Sequence, residues 1–362
     1  MTQLSDLPLR DDLVGRQPYG APQLAVAVAL NVNENTHRIP EATAVDIISR
    51  LAAAVLEVNR YPDREFTGLR IALANYLQRG ITPEQIWAAN GSNEVLQHIF
   101  QAFGGPGRTA LSFTPTYSMY PLLAEGTGTT YISVPRGDRF ELTPEYVSAA
   151  ILEHQPAITI LCSPNNPTGT PLDIDCVTAA YQAVASFNGI LVIDEAYAEF
   201  AHDTDITALN LLGGRPNLLV SRTMSKAFAF AGARVGYLAA DPTVIDALRL
   251  VRLPYHLSAF TQAAAEAALA HSRELLANVD DIRAQRDRIV AELRELGLDA
   301  FESDANFVLF GGLEDNAKIW QQLLDQDVLI RNVGIPGTLR VTAGTAAETT
   351  AFLNALRFAL GK

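Results

Sequence analysis

The run Gly189-Ile-Leu-Val-Ile-Asp-Glu-Ala-Tyr197 decides the fold. Four apolar residues, three of them β-branched, follow a glycine and stop at an acid, which reads as a strand. Runs of the same kind recur at 110–113, 130–134, 158–162, 218–221 and 235–239, with helical stretches between them. That alternation predicts an α/β domain built on a mostly parallel sheet. Ligands of such open sheets bind beyond the carboxyl ends of the strands. Three polar clusters fall there: Ser163-Pro-Asn-Asn-Pro-Thr-Gly169, Asp194-Glu-Ala-Tyr197 and Thr223-Met-Ser-Lys226.

Working outward, 362 residues exceed one compact core of usual size, so a large domain with a smaller companion is expected. The first 40 residues, rich in Pro and Asn, show no clear periodicity and read as an extended arm. Residues 41–245 carry the strand and helix alternation. Residues 246–362 change character: 273–296 reads as one long exposed helix, and short strands at 306–310, 328–331 and 339–342 suggest a small α+β domain.

Composition narrows the function. The chain is 48% hydrophobic and 19% charged, as a folded globular protein is. Its 27 basic against 40 acidic residues give a net charge of −13, and no basic cluster tracks a phosphate backbone, which argues against nucleic acid. No apolar run approaches the ~20 residues that span a bilayer, and no leader pattern opens the chain; a cytoplasmic location is expected. Cys162 and Cys176 form neither a disulfide framework nor a metal-ligand spacing, so both are read as reduced and structural, and no metal is expected.

Lys226 is the residue that asks for an explanation. It stands among Ala and Phe, where an ammonium is disfavoured and its pKa falls, unless the side chain simply reaches solvent. A neutral amine attacks carbonyls. Thr223, Ser225 and Arg234 offer two hydroxyls and a guanidinium around one point, the way a phosphate monoester is held. The turn Asn90-Gly-Ser-Asn-Glu94 leads into a helical run, so Ser92 and Asn93 add a helix N-terminus to the same phosphate. A phosphate anchor beside a nucleophilic lysine suggests pyridoxal phosphate, whose aldehyde condenses with Lys226. That cofactor needs a carboxylate against its pyridine nitrogen, and Asp194, ending an apolar strand, is placed to provide it. Tyr197 and Asn166 are candidates for its 3′ oxygen, and Tyr117 for stacking on the ring. Taken alone, Asn166 is equally a turn residue and Tyr117 a core residue.

The order of these motifs resembles the fold-type I pyridoxal-phosphate aminotransferases. More narrowly, Pro18-Tyr-Gly-Ala-Pro22, Asn33-Glu-Asn35, Asn59-Arg-Tyr-Pro-Asp63, Arg222-Thr-Met-Ser-Lys-Ala-Phe228, Arg252-Leu-Pro-Tyr-His-Leu-Ser258 and Leu339-Arg-Val-Thr-Ala-Gly-Thr345 are similar to the histidinol-phosphate aminotransferases over nearly the whole chain. The resemblance implies a large domain with a mostly parallel seven-stranded sheet and a smaller C-terminal domain. It also implies a homodimer in which Tyr61 reaches the neighbour's cofactor phosphate, and Arg340 as the grip on the substrate's anionic end. Tyr19, Tyr117 and Tyr255 would enclose a flat imidazole, with Asn93 hydrogen-bonding it, and Arg331 would join Arg340 on a doubly charged phosphate. The implied cycle passes an amino group from glutamate to imidazole-acetol phosphate, or in reverse. An aromatic amino-acid aminotransferase shares the same cofactor motifs; a phosphoamino-acid decarboxylase and a pyridoxal-phosphate-sensing regulator are more distant readings. The chain departs from the family where Asn33-Glu-Asn is followed by Thr36-His37 in place of Pro-Tyr.

Overall fold

The computed structural model describes residues 4–18 and 20–362. Twelve strands carry the fold among them: β1 (Val28–Ala29), β2 (Ile86–Asn90), β3 (Thr109–Thr114), β4 (Thr130–Pro135), β5 (Ile158–Cys162), β6 (Ile190–Asp194), β7 (Leu218–Thr223), β8 (Val235–Ala239), β9 (Asp299–Ala300), β10 (Phe307–Gly311), β11 (Val328–Leu329) and β12 (Leu339–Thr342). Strands β2 to β8 form one sheet in the order β2-β8-β7-β6-β5-β3-β4. Only β8 runs against its neighbours, β2 and β7, so the sheet is mostly parallel and seven-stranded, as expected.

Every residue of β5, β6 and β8 is buried, because helices cover the sheet and both strand faces must be apolar. The register aligns Cys162, Asp194 and Ser221 in one row at the carboxyl edge. Strand β2 has no counterpart in the sequence reading: Ile-Trp-Ala-Ala-Asn is poor in β-branched residues, and pairing with the distant β8 fixes it. From β2 the chain enters the helix Ser92–Phe103 through Gly91, whose φ of 83° and close approach to Arg234 both call for glycine.

The C-terminal part holds an antiparallel sheet of order β12-β10-β9 around a second hydrophobic cluster. Two expectations change here. The segment expected as one helix over 273–296 is two, Ser272–Leu276 and Val279–Glu295. Leu275 packs into the large cluster and Val279 into the small one, so the break is where the chain passes between cores. The large cluster thus runs on past the expected junction at 245/246. Nor is the arm extended throughout: short 3-10 turns interrupt it at Leu4–Asp6 and Asp11–Leu13, and further on β1 pairs in parallel with β11 while Leu30 is buried in the small cluster. β11 falls within the strand expected at 328–331, whereas β1 is two residues long and its partner is distant in sequence, which leaves no local signal. Among the described residues no helix is long and apolar enough to cross a membrane.

Candidate active site

A cavity of about 580 Å³ opens at the carboxyl ends of β5, β6 and β7, walled on one side by arm residues 31–34 and on another by Arg331 and Arg340. At one pole the Thr223 and Ser225 hydroxyls lie 2.9 Å apart, and Nη1 of Arg234 approaches Ser225 Oγ at 3.5 Å. Ser92 and Asn93 bring the start of the helix Ser92–Phe103 to the same pole. Glycines permit that approach. A Cβ on Gly91 would lie 2.3 Å from Arg234 Nη2, and one on Gly236 2.1 Å from the Ser92 backbone nitrogen. Hydroxyls, a guanidinium and helix N–H groups together make a site for a phosphate monoester.

At the other pole Asp194 is 3% exposed. Its Oδ2 accepts the Tyr120 hydroxyl at 2.8 Å, and its Oδ1 has no partner among the described residues. Burial pushes the carboxyl up to about 6, against the Tyr120 and Ala196 hydrogen bonds that favour its charged form. An orphaned buried carboxylate oxygen on a cavity wall calls for a cationic donor.

Between the poles, Nζ of Lys226 donates to the Val32 carbonyl at 3.0 Å and lies 5.9 Å from the centre of the Tyr197 ring. Burial lowers its amine to about 8, and Arg340 and Arg234 add repulsion that Glu34 opposes. The Tyr197 hydroxyl accepts from Asn33 Nδ2 at 3.0 Å and Asn166 Nδ2 at 3.3 Å. Arg340 donates to Asn166 Oδ1 at 2.6 Å and to the Asn31 carbonyl at 3.0 Å. Arg331 and Arg340 exchange backbone hydrogen bonds of 2.9 Å each, which places both guanidiniums on the cavity. Tyr117 also lines it, its hydroxyl donating to Asn93 Oδ1 at 3.1 Å. Behind β6 and β7, Glu195 takes two Arg222 hydrogen bonds, at 3.0 and 2.7 Å, and fixes the strand ends that carry Asp194 and Thr223.

Tyr61, expected at a neighbour's site, and Tyr255, expected at this one, lie together. Tyr61 is 80% exposed and stacks on Tyr255 with ring centres 4.5 Å apart; neither lines the cavity of its own chain. Tyr19 lies outside the described residues. Tyr120 and Asn33 were given no role by the sequence reading. Tyr120 had one available signal, its place three residues after Tyr117, at the start of the helix Met119–Gly126 that follows β3; Asn33 had none beyond its motif.

The donor set fits pyridoxal phosphate: an anion pole, an amine of lowered pKa, and an unpartnered carboxylate oxygen opposite. The fold is that of an aminotransferase, and the chain belongs to the aminotransferase class I and II family, whose model matches residues 26–356. Within that class it belongs with the histidinol-phosphate aminotransferases. It is 62% identical to the one from Paenarthrobacter aurescens, over 98% of this chain and 96% of the relative. The Thermobifida fusca relative of the same name is 55% identical over 99% and 97%. A crystal structure of histidinol-phosphate aminotransferase from Sinorhizobium meliloti in complex with pyridoxal-5'-phosphate superposes with a TM-score of 0.83 at 27% identity, covering 93% of this chain and 91% of that one.

Proposed function

We propose that the protein transfers the amino group between histidinol phosphate and 2-oxoglutarate, with pyridoxal phosphate as cofactor, a step of histidine biosynthesis. The observation that carries this reading is the single cavity holding the Lys226 amine, the unpartnered Asp194 oxygen, the anion pole and two further arginines.

Bound there, the cofactor supplies an electron sink for the charge left when a proton leaves the substrate's Cα. Thr223, Ser225, Arg234 and the N–H groups at Ser92 and Asn93 hold its phosphate. Asp194 keeps the proton on its pyridine nitrogen, a role that satisfies Oδ1. Tyr197 and Asn166 hold its 3′ oxygen, and Tyr117 packs on the ring. Lys226 would hold the cofactor covalently and give way to a substrate amine. Its freed amine would then move the proton between Cα and the cofactor's C4′. Arg331 and Arg340 take the substrate's phosphate, two planar forks for a doubly charged group.

The protein acts as a homodimer in this reading. Tyr61 is exposed and does not line its own cavity, and Val45, Ile48, Val55, Leu56 and Val58 are exposed apolar side chains that a second copy would cover. The stacked Tyr61 and Tyr255 then serve the neighbour's site together, so Tyr255's expected role against the imidazole is exercised across the interface. A reaction on phosphorylated intermediates, which membranes retain, is assigned to the cytoplasm.

Steady-state kinetics test the substrate. With 2-oxoglutarate as acceptor, kcat/KM for histidinol phosphate should exceed that for phenylalanine and tyrosine by orders of magnitude. A preference for phenylalanine would make the protein an aromatic amino-acid aminotransferase.

A further inference from the structure

Three successive arm residues touch the three groups on which the proposed chemistry depends: the Asn31 carbonyl takes Arg340, the Val32 carbonyl takes Lys226, and the Asn33 side chain donates to Tyr197. Asn33 is held more firmly than any of these contacts alone requires. It is 2% exposed, with a left-handed φ of 57°. Its backbone N–H donates to Thr342 Oγ1 at 3.1 Å, and its carbonyl accepts Asn306 Nδ2 at 3.2 Å. Since the Thr342 oxygen already accepts that N–H, its hydroxyl proton goes to Asn33 Oδ1, at 3.2 Å. The amide is thereby oriented, with Nδ2 facing Tyr197.

Asn166 is oriented in the same way. Arg340 donates to its Oδ1, which leaves Nδ2 for the Tyr197 oxygen. A phenol has two lone pairs and one proton. With both lone pairs occupied by amide donors, the Tyr197 proton has one direction left, into the cavity.

We propose that Asn33 is a positioning residue that fixes Tyr197 as a hydrogen-bond donor to the cofactor's 3′ oxygen; the inference rests on the cofactor reading above. The two amides differ in what they depend on. Asn166 is tied to Arg340, whose guanidinium is assigned above to the substrate, whereas Asn33 is tied to Thr342 and Asn306, which do not line the cavity. Asn33 therefore holds the phenol while Arg340 changes partners.

A donor to the 3′ oxygen stabilises the deprotonated form of the lysine-bound chromophore, so its loss raises the pKa of the visible band. The test is a pH titration of that band in the loaded protein, for wild type, Asn33→Gly, Asn33→Asp and Tyr197→Phe. Glycine and aspartate both tolerate the left-handed backbone and keep the main-chain bonds to Thr342 and Asn306. Asn33→Gly should raise the pKa by about half to one unit, the size of one hydrogen bond. Asn33→Asp, nearly identical in shape, should raise it at least as far, because the carboxylate takes the phenol's own proton. In a Tyr197→Phe background Asn33→Gly should add no further shift. Wild-type titration of either Asn33 variant, or the same shift with and without the Tyr197 hydroxyl, overturns the proposal while leaving the cofactor reading intact; absence of a titrating visible band in the wild type overturns both.

Discussion

The Tyr120 hydroxyl holds one oxygen of Asp194 at 2.8 Å, and the other oxygen of that buried carboxylate faces the cavity with no partner among the described residues. The half-satisfied carboxylate makes the cofactor-free fold sensitive to pH. Its folded-state pKa of about 6 lies above the ordinary 3.8, so the stability it contributes is fully present below 3.8 and is lost as pH rises through 6. The loss is on the order of 3 kcal/mol. Asp194→Asn removes it. Urea denaturation of the cofactor-free proteins should show little difference at pH 4 and a clear advantage for the variant at pH 7.5; an equal gap at both values would show that Asp194 is not strained.

With cofactor bound the same substitution works the other way. Asp194→Asn leaves every phosphate donor in place, so cofactor affinity should fall modestly while kcat falls by orders of magnitude, as the lost charge matters most when the ring accepts electrons. Unchanged turnover would remove Asp194 from the pyridine nitrogen.

Arg331 separates the two substrate classes. Charge-assisted hydrogen bonds contribute about 1.5–3 kcal/mol, so Arg331→Ala should lower kcat/KM for histidinol phosphate by about ten- to a hundredfold. Phenylalanine, which has no phosphate, should be affected far less. Equal losses would place the phosphate elsewhere.

Much of this was legible in the sequence, and what was not has physical causes. The strands of the parallel sheet were visible because burial on both faces leaves continuous apolar runs. Thr223, Ser225, Lys226 and Arg234 could be placed together because they share one short segment whose spacing the sheet edge fixes. Strand β2 and the pairing of β1 with β11 could not, since long-range partners and not local propensity define them. Tyr120 and Asn33 escaped for the same reason: their partners are Asp194, Tyr197 and Thr342, far off in sequence. Tyr255 was expected at its own chain's cavity, and only the structure shows its ring against Tyr61.

That stacked pair bears on assembly. Neither Lys226→Ala nor Tyr61→Phe subunits should be fully active alone, and mixed dimers should recover one largely intact site, because Lys226 and Tyr61 of one chain would serve different cavities. Activity measured after verified subunit exchange checks this. No recovery would mean that Tyr61 acts, if at all, within its own chain.

In the proposed function Lys226 carries pyridoxal phosphate and yields it to the amine of histidinol phosphate. The chain has two other lysines, Lys318 and Lys362, and neither lines the cavity. Borohydride reduction of the loaded protein, followed by peptide mass spectrometry, should place the cofactor on Lys226. Histidinol phosphate added before reduction should strip the label from that peptide, far more effectively than phenylalanine at the same concentration. Label on Lys318 or Lys362, or label on Lys226 that histidinol phosphate fails to displace, would mean that Lys226 does not play this part.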